Sequence, residues 1–545
     1  MNVSSQVVYE ERNSNVGLGE TIRFRLPPTL QLLNSQETYL KFNVVVGTKG
    51  KQTLTLGAEA NESHWFPWTF GEGGCANLVR NLSIKTQDGL IIEQITDYNR
   101  LNRMFANYVE NSSQKNLKRL YEGADTDIVK ATNTLTRRTV DGNGASSTLE
   151  TQENMEVECV LPLRLSGILN NEQPFPNMLA PLEVEILLED NVFNVIHAQG
   201  FQTGATAPNF QSSKDVQNRV AGYRTDTMTY CVDGTPNDAA QTTLDILNST
   251  NADNTNVYPP SIGADTSANH PFFNGQSLTI KGTDDYTVVI DSISVSGGKL
   301  RLNFQAVNFS TNVIANPKIF VKVPDSSPSM TLSELQLVCG TVTPTSKQMS
   351  AIESAVRSGQ GYGWSYKSYQ DFPVNLSNNA LQTSSLINSK YRMCKAILSF
   401  WENVGSVKYV DQDNLIPQID GTVAPSTYQY KLGGLLVPNR AVDLSRYVRN
   451  RTQTGAYNAS HIKELEQALG NCGYTCKDLS NIDGCLMFGR GLVPPNSGFV
   501  YDMSDNEEAR LNMKFSAQGY SLLLHNYVCH LKTFVIKADG KFVVE

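Results

Sequence analysis

The sequence predicts an all-β fold made of antiparallel sandwiches or barrels. Apolar and polar residues alternate over many short segments, which is typical of strands with one buried and one wet face. Charged residues make up only 18% of the 545 residues, against about 25% in an average domain. Asn, Gln, Ser, Thr and Gly take their place, and this composition favours strands and turns over helices. Many short strands with turn-rich spacers indicate sandwiches or barrels.

The clearest strand covers residues 21–26 (TIRFRL), where Ile22, Phe24 and Leu26 share one face and Arg23 and Arg25 share the other. Such a segment buries its apolar face in a core and leaves its arginines in water. The same alternation predicts strands at 39–46, 155–161, 182–188 and 511–515.

Three segments of about ten residues have the apolar spacing of helices. Residues 97–108 follow a predicted cap at Thr96 and Asp97, and 346–357 form the second segment. The third, 460–469, is followed by Gly470 as a stop signal. We expect these short helices to lie across the ends of the sandwiches.

The chain divides into two unequal halves with the same element order of strands, one helix and further strands. The boundary is expected near 344–363, which gives a first unit at 18–345 and a second at 346–545. Residues 197–310 are predicted as a long loop insertion in the first unit, partly built as a small β-unit. Its polar first part, 197–275, nearly lacks periodicity, and long loops of this kind are usually functional or mobile.

Composition and charge exclude several classes of protein. A net charge of −8 argues against strong nucleic-acid binding by bulk charge, and no run of about 18 apolar residues predicts a membrane span. The first ten residues, MNVSSQVVYE, lack the features of a secretory signal. Nine cysteines are an odd number, and we interpret them as reduced, buried side chains of a protein made inside a cell.

One weak metal pattern is present. Cys472 and Cys476, with Cys485 and the distant His525 and His530, have ligand types suited to zinc. No second closely spaced pair follows, so ordinary thiols around a loop are the favoured interpretation. We predict no metal, no cofactor and no catalytic residue.

Patterns for phosphate binding and hydrolysis fail on spacing or residue order. The Gly/Lys-rich segment 47–53 has the residue types of a phosphate loop but reads better as a hairpin tip. The Asp-Gly-Thr triplets at 233–235 and 420–422 are typical of turns. Four glutamates, Glu156, Glu158, Glu183 and Glu185, lie in pairs on wet strand faces; a glycosidase would need carboxylates inside a groove.

Two further patterns bear on binding. The aromatic segment 64–68 (HWFPW), with Trp65 and Trp68, suits stacking on sugars or bases, or anchoring of a loop in a core or subunit contact. The second interpretation is favoured, because Trp and Phe dominate the energetics of interfaces. A modest basic stretch is read as a solvated face and is formed by Lys115, Lys118, Arg119, Arg137 and Arg138.

Four stretches together resemble the double jelly-roll major capsid proteins of the adenovirus–tectivirus lineage, with the group of virophages and polinton-like viruses the nearest. The first is IRFRLPPTLQLL with ETYLKFNVVV, and the second is the segment 77–108. The third, LPLRLSGILNNEQPFPNMLAPLEVEILL (161–188), is the most telling. The fourth combines YQYKLGGLLVP (428–438), the following helix and 492–515. The resemblance covers about 20–190 and 350–545 and rests on hydrophobic patterns.

The resemblance implies two tandem eight-stranded antiparallel jelly rolls with a few short helices. It also implies homotrimeric, pseudo-hexagonal capsomers that tile an icosahedral virion shell around a DNA genome, with a penton or minor capsid protein as a further partner. Residues 197–310 are then expected to form an outward tower and residues 1–17 an N-terminal arm beneath neighbouring capsomers. The implied location is the virion capsid, assembled inside the host cell.

The alternative function is that of a carbohydrate-binding or carbohydrate-active β-sandwich protein, which would use Trp65, Trp68 and an acidic groove. A viral spike or fibre protein shares the composition but does not need two barrels in tandem.

Overall fold

The fold is taken from a computed structural model of the chain. It describes residues 2–12, 14–47, 52–55, 61–64, 68–71, 73–123, 136–139, 151–154, 156–198, 227–231, 240–246, 277–280, 286–296, 299–309, 318–322, 329–358, 361–403, 423–444, 459–477, 486–494, 497–504, 509–518, 521–537 and 541–544. The fold is mostly β, as the alternating pattern predicts.

The strands in chain order are β1 Asn2–Tyr9, β2 Val16–Gly17, β3 Thr21–Arg25, β4 Leu32–Gly47, β5 Gln52–Thr55, β6 Asn61–His64, β7 Trp68–Phe70, β8 Val79–Thr86, β9 Ile91–Ile95, β10 Thr136–Thr139, β11 Thr151–Asn154, β12 Glu156–Leu161, β13 Leu182–Leu188, β14 Ile196–Ala198, β15 Thr227–Cys231, β16 Gln241–Ile246, β17 Ser277–Ile280, β18 Tyr286–Ser296, β19 Lys299–Val307, β20 Lys318–Lys322, β21 Ser329–Thr343, β22 Tyr362–Asp371, β23 Val374–Leu376, β24 Gln382–Leu386, β25 Cys394–Asn403, β26 Val423–Leu432, β27 Leu435–Asp443, β28 Phe488–Gly491, β29 Arg510–Gln518, β30 Leu522–Ile536 and β31 Phe542–Val544. The α-helices are α1 Tyr98–Val109, α2 Ser112–Tyr121, α3 Ser346–Arg357 and α4 Ala459–Asn471, and short 3₁₀ turns cover Gly74–Leu78 and Val192–Asn194.

The first half of the chain forms a sandwich of two sheets whose main strands run in the orders β1-β21-β4-β12 and β3-β13-β8-β9. Along the chain, the eight strands therefore alternate between the sheets except where β8 and β9 follow each other in one sheet. In each sheet the first strand in sequence lies beside the last, which is the jelly-roll arrangement of two interleaved Greek keys.

The second half repeats this topology strand for strand. Its sheets have the orders β22-β30-β25-β28 and β24-β29-β26-β27, with short β23 and β31 added to β30. The eight main strands change sheets at the same steps as in the first half. The prediction of two tandem eight-stranded jelly rolls is thus confirmed by the strand order itself.

Alternation along β3 shows why these segments form sandwich strands. Ile22 and Phe24 are fully buried, while Arg23 on the opposite face donates a hydrogen bond to Glu185 of β13 across the ladder. Apolar area enters the core from one face, and charge pairs stay in water on the other.

The three predicted helices are present with shifted ends. Asp97 precedes α1 with a left-handed φ of 49° and makes no capping hydrogen bond, because its carboxylate binds Arg100 instead. The predicted capping role of Asp97 is therefore wrong. α3 begins behind a capping box formed by Thr345 and Gln348, and α4 runs to Asn471, beyond the predicted stop at Gly470. α1 and α4 both lie between the fifth and sixth main strands of their sandwich, which explains the repeated element order.

The insertion predicted at 197–310 connects β13 to β21, the last two main strands of the first sandwich. Its described parts form a four-stranded sheet in the order β16-β19-β18-β17 and the ladder β15-β20. The unit therefore continues to Lys322, past the predicted end. Buried Leu244, Leu302 and Phe304 give the sheet a small core of its own. Its role as a tower stays a prediction.

Most of the segment 1–17, predicted as an arm, lies in the first sandwich. β1 pairs with β21 along its whole length, and β2 pairs with the other end of β21. Val8 and Val16 are buried, so the apolar residues that suggested anchors for a neighbour anchor this segment in its own sheet. The boundary between the units falls at α3, which lies between β21 and β22.

Candidate assembly site: the junction between the two sandwiches

The two sandwiches share a continuous hydrophobic core, and their junction is built around β22. This strand lies at one edge of its sheet, beside β30. Successive side chains of a strand point to opposite faces, and residues of the first sandwich cover both faces of β22. The first sandwich therefore grips an edge strand of the second.

One face of the grip is apolar. Trp364 packs edge-on against Phe175, with 5.2 Å between ring centroids, and Phe534 lies 5.7 Å from the same ring. The buried hydroxyl of Tyr366 donates a hydrogen bond of 2.6 Å to the carbonyl of Ile92 in β9. We call these five residues the apolar side of the junction.

Backbone meets backbone beside this face. A Cβ atom placed on Gly167 would lie 1.8 Å from the carbonyl oxygen of Lys367 in β22, so only glycine fits. Four residues later, Asn171 donates a side-chain hydrogen bond of 3.1 Å to the carbonyl of Ser365. The loop between β12 and β13 therefore packs directly against the backbone of β22.

Helix α1 covers the other face. Its Phe105 ring lies 5.7 Å from Tyr369 of β22 and 4.8 Å from Tyr474. The hydroxyl of Tyr108 accepts a 3.0 Å hydrogen bond from the backbone N–H of Met487. The apolar residues that predict α1 therefore have two roles. They pack in the core of the first sandwich, and the aromatic ones among them also contact the second sandwich.

Arg100, two residues into α1, binds carboxylates of both sandwiches. Its Nη1 lies 2.9 Å from Asp97 and 3.5 Å from Glu189, and its Nε pairs with Glu402 of β25. The side chains of Arg100 and Glu402 are only 11% and 9% exposed. Burial by itself raises the pKa of Glu402, but Arg100 and His525 together outweigh burial and the net pKa is lowered.

A buried histidine completes the cluster. Nδ1 of His525 lies 2.6 Å from Oδ2 of Asp371, and Nε2 lies 3.5 Å from Oε1 of Glu402. Burial lowers the pKa of His525, yet the hydrogen bond to Asp371 and the nearby carboxylate of Glu402 outweigh burial and raise it to about 10. His525 is therefore an imidazolium at neutral pH. The ionic side of the junction consists of Asp97, Arg100, Glu189, Asp371, Glu402 and His525.

Among the described residues, one group has the ligand types and spacing for a metal ion. Single ligand atoms of Asp97, Asp371 and His525 lie within 4.8 Å of one another. Arg100 already neutralises Asp97, and the imidazolium of His525 neutralises Asp371. The arrangement is therefore an ion-pair network that spans two sandwiches.

The residues of the zinc pattern that the structure describes do not converge on one point. Cys472 is buried beside Cys529, and burial raises the pKa of its thiol. Cys476 is half-buried. His530 stacks on Tyr391 at 3.7 Å, and burial lowers the pKa of His530 to about 3. Cys485 lies outside the described residues.

The cysteines interpreted as buried thiols have that environment wherever their side chains are described. Seven described cysteines form no disulfide, and all of them except the half-buried Cys476 are buried. Burial raises the pKa values of Cys339 and Cys394 to about 12, which keeps these thiols protonated and unreactive.

The basic stretch is only partly a solvated face. Lys118 is buried and pairs with Glu110 and Glu122, and Arg164 binds Glu122 at 2.8 Å. These contacts hold α2 on the first sandwich. Lys115 is half-buried. The side chains of Arg119, Arg137 and Arg138 lie outside what the structure describes.

Several other predicted features fall outside the described residues. These are Trp65 and the side chain of Trp68, the tip of the segment 47–53, and the turns at 233–235 and 420–422. No helix in the described part of the chain is long and apolar enough to cross a membrane.

The glutamate pair of β13 is engaged in ion pairs on the outer face of its sheet. Glu185 binds Arg23 and Lys85, and Glu183 binds Arg25 and Lys85. Burial raises the pKa of each carboxyl, but the hydrogen bonds to Lys85 and the arginines outweigh burial and lower both.

Of the other pair, Glu156 lines a groove of about 570 Å³ that contains three carboxylates, those of Glu10, Glu156 and Glu334. The side-chain amide of Asn43 donates to both Glu156 and Glu334 at 3.0 and 3.3 Å. Glu158 faces solvent and binds Lys41 at 2.7 Å. This groove is where the carbohydrate alternative has its acidic residues, and among the described residues that line it none is aromatic.

No protein-family model matches the chain, and no curated protein matches it. Among solved structures, the Faustovirus major capsid protein is 9% identical, with 98% of this chain and 90% of that chain covered and a TM-score of 0.49. The mavirus major capsid protein is 10% identical, with 99% and 90% covered and a TM-score of 0.45. The Sputnik virophage structure is 10% identical, with 100% and 88% covered and a TM-score of 0.46.

Two of these structures are of major capsid proteins and the third is of a virophage. At 10% identity or less the likeness concerns the fold alone. The assignment of two jelly rolls rests on the strand order of this chain.

Sequence reasoning named two residues of the ionic side: Asp97 as a helix cap, and His525 as a member of a zinc pattern that was not favoured. It missed Arg100, Asp371 and Glu402 because single charged residues in strands and helices give no local signal of burial. The apolar side was equally hidden, since Trp364, Tyr366 and Phe175 read as ordinary core residues.

Proposed function

We propose that this protein is a structural major capsid protein that assembles with copies of itself and has no catalytic role. The observation that carries the proposal is the packing of two jelly rolls of identical strand order, in which an edge strand of the second is gripped by the first. The hydrophobic pattern shared with double jelly-roll capsid proteins supports the same proposal.

The grip joins different surfaces of the two sandwiches, so it is a head-to-tail contact. Head-to-tail contacts generate closed rings when the rotation closes. Three chains with two similar sandwiches each would form a ring of six similar units, the pseudo-hexagonal homotrimer. Such capsomers would tile an icosahedral shell around a DNA genome in the virion, with a penton or minor capsid protein at the remaining vertices.

The junction supports this role because it fixes the angle between the sandwiches. Buried ion pairs contribute little net stability but cost several kcal/mol when one partner is removed, which penalises any altered packing of the two halves. A shell unit needs such a fixed angle. The insertion between β13 and β21 is proposed as the outward tower, because a unit with its own small core need not pack on the sandwich.

Light scattering after gel filtration, followed by negative-stain microscopy, tests the proposal. We expect a species of about 180 kDa, three times the chain mass of 60.1 kDa, and hexagonal rings or shells. A monomer at every concentration up to about 1 mM would contradict the trimer.

The groove beside Glu156 and Glu334 gives the carbohydrate alternative its one supporting observation. A glycan array separates the two functions. Saturable binding that is lost in Glu156→Gln would favour the alternative, whereas a trimer without glycan binding favours the capsid role.

A further inference from the structure

Because the two sandwiches have the same strand order, each main strand of one has a counterpart in the other. β1 corresponds to β22, β9 to β27, and the loop between β12 and β13 to the loop between β28 and β29. In each sandwich, an isolated antiparallel bridge joins this loop to the start of the third main strand. The bridge pairs Phe175 with Leu33 in the first sandwich and Tyr501 with Cys394 in the second. The correspondence therefore extends to the loops.

The two corresponding edge strands differ in burial. In β22, Trp364, Tyr366 and Tyr369 are almost completely buried, and residues of the first sandwich contact all three. In β1, Val7 is 40% and Tyr9 is 60% exposed. β1 pairs only with β21 in the described residues, so its outer edge presents unpaired backbone groups. Exposed edges of this kind are templates for association.

The parts of the second sandwich that correspond to β9 and to the loop between β12 and β13 carry exposed apolar residues. On β27, the counterpart of β9, Leu435 is 72% and Leu436 is 45% exposed. On the loop that corresponds to the one carrying Phe175, Phe499 is 72% and Val500 is 41% exposed. Clusters of exposed apolar residues mark interaction sites.

We propose that β1 of one copy docks on this surface of a second copy, formed by Leu435, Leu436, Phe499 and Val500. The second sandwich then holds the next copy's β1 in the way the first sandwich holds β22. The inference rests on the proposed self-association and names its seam. The occupant is a copy of this chain, because β22, the edge strand gripped in this way in the described part of the chain, is the direct counterpart of β1.

The seam should be weaker than the junction. β1 exposes Ser4, Ser5 and Gln6, where β22 brings aromatic rings that bury large apolar areas. Polar side chains and water are common at surfaces that associate after folding. This difference would let single chains fold first and associate afterwards.

Charge insertion tests the seam on both of its surfaces. Tyr9→Lys changes β1, and Leu435→Lys changes the receiving surface. Leu120→Lys on α2 is the matched control, because Leu120 is 71% exposed and Leu435 72%, and no step of the seam involves α2. We expect each seam variant to raise the dissociation constant of the trimer at least tenfold, with the control unchanged.

A mixing experiment then distinguishes head-to-tail contact from any symmetric contact. The Tyr9→Lys chain keeps its receiving surface, and the Leu435→Lys chain keeps its β1. A one-to-one mixture should therefore form a dimer through one intact seam, measured by native mass spectrometry with one chain isotope-labelled, while neither variant alone forms it.

The outcomes separate the inference from the proposed function. Trimers of unaltered affinity in both seam variants would overturn the seam and leave the capsid role intact, as would equal weakening in all three variants. A wild-type chain that stays monomeric would overturn the proposed function and the seam together. Circular dichroism confirms that each variant is folded before its association is compared.

Discussion

The two sides of the junction hold the same strand by different physics. The apolar side packs aromatic rings around Tyr366 and brings Gly167 against the backbone of β22. The ionic side places charged groups, among them Arg100 and His525, where little water reaches them. Apolar packing stabilises in proportion to the area removed from water, whereas buried charges mainly penalise loss of a partner. The first side should supply the affinity between the sandwiches and the second their fixed geometry.

The largest expected effect is on the apolar side. Gly167→Ala would force the new methyl group into the carbonyl of Lys367, so the backbones must separate and the apolar contacts must open. We expect a loss of about 5 kcal/mol or more in the free energy of unfolding, or no soluble protein. Urea denaturation measures it. Gly498→Ala, where no heavy atom lies within 4 Å, should change stability by less than about 0.5 kcal/mol.

Removal of the guanidinium of Arg100 is expected to have the second-largest effect on the free energy of unfolding. Arg100→Met leaves Glu402 and Glu189 buried without their guanidinium, which should cost about 3–5 kcal/mol. Arg357→Met is the control, since Arg357 is 82% exposed and, among the described residues, pairs with Glu353 of its own helix; about 0.5 kcal/mol or less is expected there. Equal effects of the two substitutions in urea denaturation would show that the buried network has no special role.

The charge of His525 makes the ionic side sensitive to high pH. An unfolded histidine loses its proton near pH 6.5, whereas the folded pKa of His525 is raised to about 10. The stability from its proton is thus complete below pH 6.5 and is lost as the pH rises toward 10. The wild type should lose roughly 1.4 kcal/mol per pH unit over this window relative to His525→Gln.

Urea midpoints of both proteins at intervals from pH 6 to pH 10 measure this difference. Other groups titrate in the same window, but they are common to both chains and cancel in the comparison. A difference that stays constant, or that grows in favour of the wild type as the pH rises, contradicts a charged His525.

The smallest expected effect concerns one hydrogen bond. Tyr366→Phe keeps the ring on the apolar side and leaves the carbonyl of Ile92 without its donor, which should cost about 1–2 kcal/mol. Tyr39→Phe is the control, because the half-buried Tyr39 hydroxyl has no hydrogen-bond partner among the described residues. Hydrogen exchange at the β9 backbone should rise in the first variant alone.

The strand pattern was readable because burial on one face leaves a period of two in the sequence. Ile22 and Phe24 show this period. The helices around Leu101 and Leu465 were readable for the same physical reason, because burial of one face makes apolar residues recur at helical spacing. The edge strand β1 was misread as an arm because Val3, Val7 and Tyr9 give no sign of the partner strand more than 300 residues away. Pairing across such a distance is a property of the folded chain.

The sequence by itself determined the class of fold, the two halves and the absence of a recognisable catalytic pattern, because these depend on local alternation, turn residues and spacing. The tertiary structure decided which strand is gripped at the junction, that His525 lies between two carboxylates, and that Arg100 joins both sandwiches. Burial and proximity set these properties, and neither is encoded in any short stretch of residues. The exposed surfaces at Tyr9 and Leu435 became meaningful only when the strand order matched them to their buried counterparts.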